Sequence, residues 1–241
     1  MAAYRNPNIV TNGLVFYMDP ANPKTYPRTG TLVSDLMSTT QSGSLINTPT
    51  FSTDNAGLFG FDGTNEYLRF NGNLGVSGFD KTISFWVKLE ASTDRFQYGD
   101  VSNSTANYLG FNIDMNNTAG TLACGYNDGL GRGSTNRRSY VTTGVIFPTF
   151  NTWYNVVMIP RTNITTVPLL YVNSTQITTL AYNSGTASTV NWNSITYLNV
   201  TSLGVTPSYF KSKVGTIQVY NRILTQDEIT QNYNSLRSRY Q

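Results

Sequence analysis

Apolar and polar residues alternate one by one along most of this chain, and only its final stretch follows a different rhythm. GLVFYMD (13–19), YLRF (67–70), TISFWVKLE (82–90), YLGFNIDM (108–115), TLACGY (121–126), WYNVVMIPR (153–161), LLYVNSTQI (169–177) and ITYLNV (195–200) read as strands, as does 215–220, where Ile217 and Val219 alternate with polar or small neighbours. LVSDLM, SGSLINTPTF and GLFGFDG are shorter pieces divided by turn residues, and the prolines at 20, 23 and 27 forbid a regular element in PANPKTYPRTG. From Ile229 the spacing changes. Tyr233, Leu236 and Tyr240 follow at four, three and four residues, which places them on one face of a helix over 225–239. Thr225 and Glu228 form a capping box at its start, Asp227 joins Glu228 in the first turn, and Arg237 and Arg239 suit the negative end of the helix dipole.

Turn signals every dozen or so residues, with no repeat at a fixed period, predict an all-β sandwich or barrel of antiparallel strands closed by one C-terminal helix. A chain of 241 residues fits this as one domain, 13–241, preceded by an extended arm, MAAYRNPNIVTN (1–12). Apolar residues make up 39% of the chain and aromatics 13%, enough for a core. Only 12% are charged, so the surface must be largely Thr, Ser and Asn.

The net charge of +3 comes with a local cluster, Arg132, Arg137 and Arg138, not with a basic stripe interleaved with aromatics, so nucleic acid is not an expected partner. No apolar run approaches a membrane span and no leader pattern opens the sequence, so the expectation is a chain that does not cross a membrane and is made without Sec export. Cys124 is the single cysteine and there is no histidine, which excludes an internal disulfide and Cys-His catalysis.

NGLVFYMDPANPKTYP, FGFDGTNEYLRF, KTISFWVKLE, NTWYNVVMIPR, LLYVNSTQI and VGTIQVYNRILTQDEITQNYNSLRSRY, in this order, resemble the concanavalin A-like lectin/glucanase domains of the laminin-G-like jelly-roll type, notably versions in tailed-phage and cyanophage virion proteins. FDGTNEYL and YNRILTQDEI followed by QNYN are the most specific pieces. The resemblance implies a jelly roll of two antiparallel sheets. Two positions depart from it: Ser174 ends a stretch that often reads YVNG, and Gly215 stands where related domains often carry an acidic residue. That second departure bears on calcium, which such domains commonly hold at a sheet edge. Asp19 and Asp62 remain as candidate oxygen ligands, although calcium wants about six to eight.

Glucanases of this fold place two carboxylates about 5 Å apart across the scissile bond. This chain has no E-x-D-x-E run; its acidic pairs are Asp62 with Glu66, Glu90 with Asp94, and Asp227 with Glu228. Zinc chemistry lacks ligands and no phosphate-binding loop is present, so no enzyme is expected. A binding segment is better supported. CGYNDGLGRGSTNRRSY (124–140) gathers Tyr126, Asn127, Asp128, Arg132, Arg137, Arg138 and Tyr140 in what reads as a glycine-rich loop, and aromatic faces with planar polar groups suit a glycan.

With the resemblance, these features predict a non-enzymatic virion protein on the particle surface, a capsid decoration or cement protein that partners coat subunits and copies of itself. The arm 1–12 would clamp a neighbour. The alternative is a lectin-like tail or fibre module that binds a cell-surface glycan during host adsorption.

Overall fold

The computed structural model describes residues 7–72, 74, 78–101, 108–115, 120–130, 134–192, 197–203 and 208–241. The strands begin with β1 (Leu14–Met18), β2 (Leu32–Ser34), β3 (Ser42–Ile46), β4 (Thr50–Ser52), β5 (Leu58–Asp62), β6 (Tyr67–Asn71) and β7 (Thr82–Leu89). They continue with β8 (Phe96–Val101), β9 (Tyr108–Met115), β10 (Leu122–Asp128), β11 (Arg137–Thr142), β12 (Thr152–Ile159), β13 (Leu169–Val172), β14 (Thr175–Ile177) and β15 (Leu180–Ser184). The last four, β16 (Tyr197–Val200), β17 (Ser202–Leu203), β18 (Ser208–Tyr209) and β19 (Lys211–Tyr220), precede the helix α1 (Gln226–Tyr240).

Two antiparallel sheets result. One has eight strands in the order β14-β13-β12-β7-β19-β5-β4, with β1 also paired to β19, and the other has nine, β15-β11-β10-β9-β8-β16-β6-β3-β2. This is the expected jelly-roll sandwich. Alternation sends Phe16, Phe59, Phe85 and Met158 from the first sheet against Phe70, Phe96, Phe111 and Leu198 from the second, all fully or almost fully buried. Phe85 and Phe96 stack across the gap at 4.5 Å. Cys124 lies in the same core, and burial pushes its thiol well above the usual range, so it is inert packing.

Strand β7 is buried on both faces, unlike most others, because the outer face of the eight-stranded sheet is covered. The cover is α1. Ile229, Asn232 and Tyr240 are buried beneath it, and Tyr233 and Leu236 pack on Leu58, Trp86 and Trp153. Trp86 stacks on Tyr240 at 4.5 Å and on Tyr233 at 5.7 Å. The periodicity at 229, 233, 236 and 240 therefore marks a docking stripe. No helix among the described residues is long and apolar enough to cross a membrane.

Where Tyr240 lands, the ladder is interrupted. The β19 register against β7 slips between Val214 and Ile217, a bulge at Gly215 and Thr216. The hydroxyl of Tyr240 accepts the Thr216 N–H at 3.0 Å, satisfying a buried donor at the irregularity. A Cβ at 215 would stand 2.6 Å from Tyr240 Cζ, which is why glycine occupies a position that is often acidic in the domains this chain resembles.

The capping box is present as expected, with the Glu228 N–H donating to Thr225 Oγ1 and the Thr225 N–H to Glu228 Oε2. Arg222, which the sequence pattern did not single out, adds a fork on the Glu228 carboxylate at 2.6 and 2.8 Å. The Arg222 hydrogen bond is the main cause that holds the Glu228 carboxyl down at about 2, against 4.5 for an ordinary glutamate. A depressed carboxylate stabilises the fold fully above its unfolded value and loses that effect as pH falls through the folded one. Glu228→Gln should thus cost about 1–2 kcal/mol at pH 7, partly screened because the pair is at the surface, and the gap to wild type should close between pH 4.5 and 2 in urea titrations.

Residues 8–11 carry no regular secondary structure, and their hydrogen bonds are made within the chain. Val10 N–H donates to Asn232 Oδ1 at 2.8 Å, Val10 O accepts the Tyr220 hydroxyl at 3.0 Å, and Asn8 O accepts from Gln231. Their partners are thus β19 and α1 of the same molecule.

Candidate functional site

The segment 124–140 is a strand hairpin more than a loop. Its first part is β10 and its last part β11, paired Cys124 to Tyr140 and Asn127 to Arg137. Tyr126 and Tyr140 point inward and are fully buried. The Tyr140 hydroxyl donates to Ile164 O at 2.7 Å, and Tyr126 accepts the Arg161 N–H. Neither ring is a glycan platform: the period-2 alternation that buries Leu122 and Cys124 buries Tyr126 with them. Arg138 lies over the Tyr182 ring at 4.7 Å, with its Nε directed to Tyr140 Oη. Asp128 accepts from Leu130 N–H and Asn136 Nδ2 within the hairpin end, and Arg137 is exposed. Arg132 lies outside the described residues. Of the set, Asn127 and Arg137, opposite each other in register, face the surface described next, where Asn127 Nδ2 donates to Asn112 Oδ1 at 2.9 Å.

That surface is the outer face of the nine-stranded sheet. Residues that alternate with core positions form a transverse row, each opposite the next in register: Ser139, Gly125, Asn112, Gly99, Asn199, Arg69 and Ser44. Gly125 and Gly99 flank Asn112 and keep the floor low; a Cβ at 99 would make only an ordinary 3.4 Å contact with Asn112 Cβ. The missing side chains at Gly99 and Gly125 leave a shallow groove across the row, in which Asn112 and Arg69 are partly exposed and Asn199 is buried between them. Arg69 sits with its guanidinium 5.1 Å from the Tyr67 ring centre and 4.6 Å from that of Tyr197, and its Nε donates to Asn199 Oδ1 at 3.0 Å. Tyr209 stacks on Tyr67 at 5.9 Å, so the β17–β18 hairpin borders this end.

The adjoining row holds Asp114, Gln97 and Thr201, with Arg95 beside them. Arg95 Nη2 pairs with Asp114 Oδ2 at 2.6 Å and its guanidinium lies 4.6 Å from the Phe210 ring centre. Burial pushes the Asp114 carboxyl up to about 6 against the opposing pull of Arg95. Asp114 Oδ1, Gln97 Oε1, Thr201 Oγ1, Asn199 Nδ2 and Arg95 Nε are buried with no partner among the described residues. Buried polar atoms are nearly always paired in native proteins, which makes this face a candidate site.

The candidate calcium ligands are placed apart. Asp19 is engaged by Arg239 Nη1 at 2.6 Å and by the Ala21 N–H, near the start of β5, where Arg239 also donates to Gly57 O. Asp62 is at the far end of that strand, where its Oδ1 accepts the Thr64 N–H. Among the described residues no three His, Cys, Asp or Glu side chains gather where they could hold a metal ion. Asp62, Glu66 and Glu90 line a cavity of about 220 Å³ with Lys211 and Lys213. Glu66 accepts the Asp62 N–H at 2.8 Å and so closes the β5–β6 turn, and burial raises its pKa. Glu90 is held below its ordinary value, chiefly by its hydrogen bond with Lys213 at 2.7 Å.

Residues 62–230 match the family model Laminin_G_3, described as the concanavalin A-like lectin/glucanases superfamily. No curated protein matches the sequence. Among solved structures, the botulinum neurotoxin serotype G binding domain aligns with TM-score 0.63 and 12% identity over 91% of this chain and 50% of that one. The serotype D binding domain aligns with TM-score 0.62 and 11% identity, covering 92% and 51%. A Trypanosoma rangeli sialidase in complex with sialic acid gives TM-score 0.64 and 13% identity, covering 98% and 36%. The chain thus spans about half the length of the toxin domains and about a third of the sialidase. At these identities the likeness is one of fold.

Proposed function

The chain belongs to the concanavalin A-like lectin/glucanases superfamily, and from that premise we propose that it is a non-enzymatic carbohydrate-binding module whose ligand lies in the groove across the nine-stranded sheet. The row from Asn112 through Asn199 to Arg69 carries the proposal. A sugar presents hydroxyls that both donate and accept. Side-chain amides and a guanidinium meet them with fixed planar geometry, and Asn112 and Arg69 are the partly exposed members of the row that can do so. A site of this kind discriminates strongly, because a ligand without the matching groups leaves buried polar atoms unpaired.

Gly99→Val tests it. The substitution places a branched side chain in the middle of the groove on a strand that tolerates it, at a backbone position with no positive φ. Binding to a glycan array and to the best array hit in solution should fall by about tenfold or more, a difference of about 1.4 kcal/mol, while the melting temperature stays near that of wild type. Unchanged binding would place the ligand elsewhere.

A virion surface is the setting the sequence resemblance implies, and the same variant separates two roles there. In host adsorption, binding to whole cells depends on the groove, and Gly99→Val and a competing polysaccharide both abolish it. In capsid decoration, saturable co-sedimentation with particles that lack the protein would run through sheet edges such as β15 and be indifferent to the groove.

A further inference from the structure

We infer that the groove selects an acidic saccharide, one bearing a carboxylate, and that Arg69 holds this carboxylate as a two-pronged pair; the inference rests on the carbohydrate-binding reading of the same groove.

The argument begins with the charge. A guanidinium is protonated at any pH the fold experiences, and Arg69 is partly buried between Tyr67 and Tyr197. Cations held out of water are normally accompanied by an anion. On the same face Arg95 has Asp114, and elsewhere Lys213 has Glu90, Arg222 has Glu228 and Arg239 has Asp19. No carboxylate pairs with Arg69 among the described residues. Its neighbour across the row is the neutral Asn199.

Geometry narrows the missing anion. The two tyrosine rings fix the guanidinium, and the Nε bond to Asn199 Oδ1 fixes its rotation. Nη1 and Nη2 have no acceptor among the described residues. Such a fork matches a planar carboxylate, which can accept two parallel hydrogen bonds. Because Nε can only donate, Asn199 must turn its oxygen toward Arg69, which leaves Nδ2 as a fully buried donor with no acceptor. A carboxylate would compensate the cation at the fork, whereas a neutral sugar would leave it uncompensated.

The test compares uronic- and sialic-acid oligosaccharides with their methyl esters by isothermal titration, on wild type, Arg69→Lys and Arg69→Gln, with thermal melting to verify the fold. Wild type should bind at least one acid about tenfold or more tighter than its ester, and the preference should shrink in high salt. Arg69→Lys keeps the charge but not the fork, so it should lose most of that preference, with the acid losing far more affinity than the ester; Arg69→Gln should lose all of it. Equal binding of acid and ester overturns the carboxylate inference and leaves the carbohydrate reading in place. Acid preference unaltered in both variants removes Arg69 from the role. If wild type binds only neutral glycans on the array, the inference falls alone; if it binds no saccharide, charged or neutral, both fall.

Discussion

Truncating Tyr240 to alanine should lower the unfolding free energy by about 3–5 kcal/mol, although the residue is the last of its helix. Its ring is held between Trp86 at 4.5 Å and Trp153 at 4.8 Å, and its hydroxyl satisfies the Thr216 N–H released by the bulge in β19. The alanine variant loses both the packing and the acceptor. Gly215→Ala approaches the same contact from the other side. The added methyl meets a ring that two tryptophans keep from moving, so the expected cost is about 1–3 kcal/mol. In a Tyr240→Ala background that cost should largely vanish, because the obstruction is gone. A double-mutant cycle by chemical denaturation therefore has a predicted sign and a coupling of about 1–3 kcal/mol. Additive effects would mean that Gly215 and Tyr240 do not share the contact described.

The second large effect is on pH. The Asp114 carboxyl titrates at about 6 in the fold and at 3.8 in an ordinary environment, so the native state binds its proton more tightly than the unfolded chain does. Stability from this group is fully present below 3.8 and is lost as pH rises through 6. About two pKa units correspond to about 2–3 kcal/mol. Asp114→Asn should flatten this part of the profile: wild type should gain stability relative to the variant as pH falls from 7 to 4. Glu228 acts with opposite sign in a lower window, between 4.5 and 2, so the two contributions separate along the pH axis. A difference between wild type and Asp114→Asn that stays constant from pH 7 to 4 would show that burial does not dominate at Asp114.

The sandwich and its helix were legible because each depends on local periodicity. Phe16 and Met18 alternate inward, and Ile229, Tyr233, Leu236 and Tyr240 keep to one helical face. Five strands escaped that reading, the two-residue β17 and β18 among them. FQYGDV carries Gly99 and Asp100, which resemble turn residues, RRSYVT follows a glycine-rich turn, and LAYNS is an edge strand with exposed residues. Their partners, not their own propensities, make them strands. The burial of Tyr126 was available from the alternation of TLACGY, but the composition of the whole segment suggested a loop and obscured it. The groove is a different case. Alternation marks Arg69, Asn112 and Asn199 as outward-facing residues in strands already recognised, yet it says nothing of which strands adjoin. Only the order β9-β8-β16-β6 sets these residues side by side, from positions separated by as much as 130 residues along the chain.

Val10 and Tyr240 are fastened to the same outer surface of the eight-stranded sheet, and the groove opens from the opposite side of the sandwich. The molecule consequently has a front and a back. A support attached near either of these residues meets the back, and the row from Asn112 to Arg69 is presented away from it, so the orientation of that row is built into the same contacts that complete the fold.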